Sequence, residues 1–229
     1  MQSSRETQQL LEASQRRGCL LCRLGQENVQ HYLDSWKYEL FTDVGIREEL
    51  RRSRGFCNTH TWQLARMGAT LQLAVAYRDI LSDTTEQLQA SQTASRRHRW
   101  FKPESEREQV PCPACVQQQK AVVNLVPFLR QAVLDPTFYT QFLASDGLCL
   151  EHFQQTCELK LPGSAESTVE SLAQLRQAQL TILKRLDAQL GELIRKHDYR
   201  FRDEAQGDEM VSWRWAASIV AGEDDRVNI

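Results

Sequence analysis

A repeated quartet of metal-ligand residues constrains this chain more than any other feature. Cys19-Leu20-Leu21-Cys22 precedes Gly55-Phe56-Cys57-Asn58-Thr59-His60, and Cys112-Pro113-Ala114-Cys115 precedes Gly147-Leu148-Cys149-Leu150-Glu151-His152. The inner cysteines are separated by 34 residues (23–56) in the first copy and 33 (116–148) in the second. Residues three apart on a helix share a face, with Cβ atoms about 5–6 Å apart, so each pair offers two ligands to one ion. Two pairs complete a tetrahedron, and zinc favours closed Cys3His sites. A ligand in the first turn of a helix is also held as thiolate by the unpaired N–H groups there. Gly55 and Gly147 let the chain turn sharply into the two Cys-x-x-His helices.

The remaining composition agrees with bound metal rather than disulfides. Seven cysteines is an odd number, and six of them fall inside the repeat. Cys157 is left over among apolar neighbours and reads as a small buried residue. The start of the chain lacks the apolar segment of a signal peptide, and no apolar run reaches the roughly 18 residues of a membrane span. A reducing, cytoplasmic setting is therefore expected. With 28 basic and 30 acidic residues the formal net charge is −2, which gives no global field for nucleic acid or an anionic membrane.

Helical spacing dominates the chain. A leading helix is expected over 5–17, ending at Gly18. A second is expected from Cys19 to Phe41, on Leu24, Val29, Tyr32, Leu33, Trp36 and Leu40, with a break at 42–45. A short charged helix over 46–54 ends at Gly55, and Cys57 opens another that the apolar spacing carries to Leu88. Residues 91–111 read as a linker rich in polar residues and proline. Cys112 to Leu134 is helical with a kink expected at Pro127. Asp135-Pro136 caps a short helix, which is followed by the helix of the second Cys-x-x-His. After 162–164 comes the longest helical pattern, over 164–196, whose apolar stripe from Val169 to Ile194 suits intramolecular packing. A last short helix over Trp213–Val220 is expected to dock its tryptophans on the core. No strand alternation stands out.

The fold class is thus mainly α: two pseudo-repeated metal-stapled helical halves plus a long C-terminal helix. The halves are expected over 1–90 and 112–161, joined by the linker 91–111 and completed by the long helix and tail over 162–229. The metal ligands are Cys19, Cys22, Cys57, His60, Cys112, Cys115, Cys149 and His152, for two zinc ions. Sequence alone leaves open whether ligands pair within a copy or between copies; within-copy pairing costs less loop entropy.

These residues resemble an uncharacterised bacterial family known as domain of unknown function 6062. The likeness rests on Cys-Leu-Leu-Cys, Gly-Phe-Cys-Asn-Thr-His, Cys-Pro-Ala-Cys, the run Asp146 to Phe153, and Lys196-His197-Asp198-Tyr199-Arg200. It spans most of the chain, and it implies no reaction or catalytic residue. Leu20-Leu21 stands where such pairs often read Pro-Leu.

Two other clusters concentrate charged and aromatic groups. Lys196 to Phe201 gathers acid, base and phenol, but also suits helix-end capping. Arg96, Arg97, His98, Arg99 and Trp100 carry charge and an aromatic suited to nucleic acid, but fit an exposed linker. No nucleophile triad or phosphate-binding glycine loop calls for an enzyme. The expected function is a non-catalytic zinc-binding interaction or regulatory module with a protein partner. The alternative is an iron–sulfur or thiol redox protein.

Overall fold

A computed structural model of the chain describes residues 5–93, 110–160, 165–201 and 204–223, and among them ten α-helices and no strand. In order they are α1 (Arg5–Ser14), α2 (Leu20–Tyr38), α3 (Val44–Arg52), α4 (Asn58–Arg66), α5 (Thr70–Thr93), α6 (Pro113–Ala132), α7 (Pro136–Ala144), α8 (Leu150–Glu158), α9 (Ala165–Lys196) and α10 (Ser212–Ala221). Short 3-10 turns sit at Leu40–Thr42, Tyr199–Phe201 and Asp208–Val211. Most of the expected linker, including Arg96 to Trp100, lies outside the described residues.

Local caps explain several boundaries. Asp43 accepts a hydrogen bond from the Ile46 N–H, so α3 begins at Val44 and Gly45 lies inside it, not in the break expected there. Asp135 caps α7 by accepting from the Thr137 and Phe138 N–H groups at 2.9 and 3.0 Å, with Pro136 in the first turn. Pro127 lies within the continuous helix α6.

The single helix expected from Cys57 to Leu88 is two helices. Gly68 takes φ +75°, and the Gly68 and Ala69 N–H groups donate to the Ala65 and Leu64 carbonyls, a left-handed cap that ends α4. The apolar pattern ran across this stop because both helices carry leucines. Trp62, Leu71 and Leu81 from that pattern are exposed, whereas Leu64 is fully buried.

The chain forms two compact units that cut across the tandem halves expected from the sequence: residues 1–27 with 120–229, and residues 28–119. In the second of these, Val29, Leu33, Trp36, Leu50, Phe56 and Leu64 form the core, with the Phe56 ring edge-on to Trp36 at 5.1 Å. Arg47 with Asp79 and Arg51 with Asp83 tie α3 to α5.

In the first unit α1, α7, α9 and α10 contribute Leu10, Phe138, Phe142, Leu175, Ile182, Trp215 and Ile219 to one apolar cluster. The α9 stripe is intramolecular along Leu175, Ala178, Ile182 and Leu186; Val169 and Ile194 at its ends are exposed. Of the two α10 tryptophans only Trp215 docks, and its indole N–H donates to the Asp146 carbonyl at 3.0 Å; Trp213 is exposed.

Candidate metal centres

The eight ligand candidates form two groups: Cys19, Cys22, Cys149 and His152, and Cys57, His60, Cys112 and Cys115. Within each group the ligand atoms all lie within 4.8 Å of one another. Each group could hold a metal ion, and each belongs to a single unit.

Of the two pairings the sequence leaves open, the structure has the one between copies, against loop entropy: the first cysteine pair meets the second Cys-x-x-His and vice versa. The physical reason is one of magnitude. Joining Cys22 to Cys149 spans 127 residues and Cys112 to His60 spans 52, against 33 or 34 intervening residues within a copy. At roughly 0.6 kcal/mol per doubling of loop length, the extra cost is on the order of 1–2 kcal/mol. Burying one leucine contributes about that much. The cluster around Leu10, Leu21, Val126, Leu129, Phe142 and Leu175 far exceeds it.

All four pairs occupy the same place on a helix. Cys19, Cys57, Cys112 and Cys149 immediately precede α2, α4, α6 and α8, and Cys22, His60, Cys115 and His152 stand three residues on, in the first turn. These cap and third positions face one another across the open end of a helix. Two helix starts therefore aim at each cluster, each bringing about half a positive charge.

In the first unit the geometry is tight and clamped from behind. His152 Nδ1 lies 3.5, 3.3 and 3.3 Å from the sulfurs of Cys19, Cys22 and Cys149, and the Cys22 and Cys149 sulfurs are 3.7 Å apart. The His152 N–H donates to the Cys149 sulfur at 3.5 Å. Gly18 and Gly147, both at positive φ, lead into the ligands. The Gly18 N–H donates to the buried Asp146 carboxylate at 2.7 Å, and the Cys19 N–H to Glu223 at 3.2 Å. Gln179 of α9 holds Leu148 by both backbone groups, donating to its carbonyl at 2.8 Å and accepting from its N–H at 3.1 Å.

Without an ion, crowding sets the titration of these ligands. Hydrogen bonds from Cys19 and Cys22 hold the Cys149 thiol far below its ordinary range. Hydrogen bonding to Cys149 and burial push Cys22 far above it. Burial pulls the His152 imidazole down, but bonds to Cys149 and Cys19 outweigh it and hold the group up at about 10.

In the second unit His60 Nδ1 lies 3.2, 3.6 and 3.4 Å from the sulfurs of Cys57, Cys112 and Cys115, and the Cys57 and Cys115 sulfurs are 3.7 Å apart. Gly55 at φ +96° turns the chain into Cys57. Thr61 ties the start of α4 to α5 through the Tyr77 hydroxyl at 2.6 Å and donates to the Phe56 carbonyl. Burial raises the Cys115 thiol well above its usual range.

All seven cysteines are free thiols. Cys157 is half-buried and packs against the first unit's apolar cluster, outside both ligand groups. The Lys196–Phe201 stretch is a helix end neutralised by ion pairs: Arg195 with Glu192 and Glu204, Lys196 with Glu209 at 2.8 Å, and Arg200 with Asp198. Lys196 holds the Glu209 carboxyl down at about 2. His197 is exposed, with Nδ1 3.0 Å from the Leu193 carbonyl. Sequence reading missed the supporting residues Asp146, Gln179 and Glu223, since nothing local marks a polar residue that reaches a distant backbone.

A sequence model of the family of unknown function DUF6062 matches residues 1–216. The chain is 25% identical over 208 residues to an "Uncharacterized 23.9 kDa protein in xynA 3'region" of Caldicellulosiruptor sp. (strain Rt8B.4), covering 89% of this chain and 95% of that protein. No solved structure matches it. No helix among the described residues is long and apolar enough to cross a membrane.

Proposed function

The chain belongs to the family of unknown function DUF6062, and from its two four-ligand clusters we propose a zinc-binding helical protein whose two ions are structural. It serves as a non-catalytic interaction or regulatory module in a reducing, cytoplasmic compartment. The size of the clusters supports the metal. Tetrahedral zinc with bonds of about 2.3 Å to sulfur and about 2.0 Å to nitrogen has edges of about 3.8 Å between sulfurs and about 3.5 Å from sulfur to nitrogen. One sulfur pair in each cluster is 3.7 Å apart, sulfur-to-nitrogen distances run from 3.2 to 3.6 Å, and all ligand atoms of a cluster lie within 4.8 Å of one another. A polynuclear iron–sulfur cluster spreads its thiolates around several irons and sulfides, whereas ligands this close surround a single ion.

Three thiolates, an imidazole and a divalent cation sum to one negative charge, which the two helix starts at each cluster favour. Four protein ligands leave no open position for water, so the site suits folding rather than hydrolysis. A protein is the partner expected, because the net charge of −2 gives nucleic acid no attraction.

Elemental analysis and absorption spectroscopy of anaerobically purified protein test the proposal. Two zinc per chain in a colourless protein is the expected result, with loss of cooperative unfolding once the metal is chelated. Iron and sulfide with visible absorbance, or an unchanged melt without metal, overturns it.

A further inference from the structure

The two clusters differ in which ligand faces solvent. In the first unit the sulfurs are withdrawn: Cys19 is 0% exposed, Cys149 1% and Cys22 7%. The half-buried ligand there is the imidazole of His152. The end of α10 covers the Cys22 sulfur, since a Cβ placed on Gly222 would lie 3.6 Å from it. In the second unit the pattern is reversed, with His60 only 3% exposed while Cys57 and Cys115 are half-buried residues. The sulfurs of these two half-buried residues lie 3.7 Å apart.

We propose that the second unit's cluster is an oxidant-responsive zinc switch, in which hydrogen peroxide joins Cys57 to Cys115 as a disulfide and frees the ion while the first unit keeps its own. The proposal rests on the zinc reading above. Oxidation of a cysteine follows its thiolate character and its access to solvent. Zinc deprotonates its thiols in both clusters alike. Access alone then separates the two, and an imidazole at the solvent side offers peroxide no sulfur.

The chemistry closes on these residues. One of the two thiolates attacks peroxide; a sulfur–oxygen bond forms, the oxygen–oxygen bond breaks, and hydroxide departs to leave a sulfenic acid. The second thiolate attacks that sulfur, a sulfur–sulfur bond forms, and a second hydroxide leaves. The two thiolates lose two electrons, and peroxide takes two protons from solvent to become two waters. The sulfurs must close from 3.7 Å to about 2.0 Å. Cys112 and His60 alone then face the ion, and two ligands do not retain it against water and competing thiols. Reduction of the disulfide restores the cluster.

The test uses full-length, zinc-loaded protein treated stepwise with hydrogen peroxide, with released zinc read by a chromogenic chelator and cysteines mapped by alkylation and mass spectrometry. One of the two zinc ions should leave in step with a Cys57–Cys115 linked peptide. Cys19, Cys22 and Cys149 should stay reduced, and dithiothreitol with added zinc should reverse the change. A Cys157→Ala variant, which spares both clusters, should release zinc identically. Simultaneous loss of both ions, first oxidation at Cys19, Cys22 or Cys149, or dependence on Cys157 overturns the proposal. Protein that carries no zinc before oxidant is added removes the zinc reading itself and the switch with it.

Discussion

Replacing Gln179 with alanine isolates what the support behind a ligand contributes. Its side chain is 1% exposed, and its amide occupies both the N–H and the carbonyl of Leu148, the residue before Cys149. Alanine reaches neither, and Leu148 is itself fully buried, so two backbone groups lose their partners away from water. At about 1–3 kcal/mol for each orphaned group, the loss is about 2–6 kcal/mol. Even the lower figure is roughly a 30-fold change in an equilibrium constant.

Hydrogen exchange on protein loaded with zinc is the suitable assay, because a chain of two units, each with a candidate metal centre, does not guarantee two-state unfolding. Amides of α8 and central α9 should lose protection by that amount, while amides of α3 and α4 in the other unit keep theirs. Leu180→Ala, at a neighbouring position that is 47% exposed, should stay within about 0.5 kcal/mol. A Gln179→Ala change equally small would refute the argument that this amide carries the turn into Cys149.

The crossed ligand sets predict a pattern of coupling: Cys22→Ser and Cys149→Ser should be strongly non-additive in stability because one ion needs both, while Cys22→Ser and Cys57→Ser should add. Within-copy coupling in such double-mutant cycles would contradict the structure. Gly68→Ala places a Cβ at φ +75° and should cost about 1–2 kcal/mol, read as a melting point a few degrees lower. In metal-free protein the His152 imidazolium, held up at about 10 from an ordinary 6.5, contributes stability that is full below about 6.5 and lost as pH rises through about 10. Zinc binding at neutral pH must therefore displace that proton, so calorimetry in buffers of different ionisation enthalpy should show proton release that His152→Ala diminishes; no buffer dependence would refute it.

The two Cys/His clusters were legible because metal-binding chemistry needs particular residue types at a fixed helical spacing, and the structure places each pair at a helix start. Some helix starts were legible from a local cap, as at Asp135-Pro136. Gly68 was a local signal too, but the leucines on either side masked it. The pairing was not legible, since loop entropy is weak and the cluster that overrides it joins Leu10 on α1 to Phe142 on α7 and Ile182 on α9. Residues such as Asp146 and Gln179 act on backbone far away or on another helix, which no local spacing encodes.

The nesting of residues 28–119 between 1–27 and 120–229 imposes an order on biosynthesis. As the ribosome extends the chain, every ligand of the inner cluster has been made once Cys115 emerges. Cys19 and Cys22, translated before any of them, must wait with bare thiols until His152 follows. The interior segment thus has its whole cluster in hand first, and the segment carrying Cys19 and Cys22 is completed only after it.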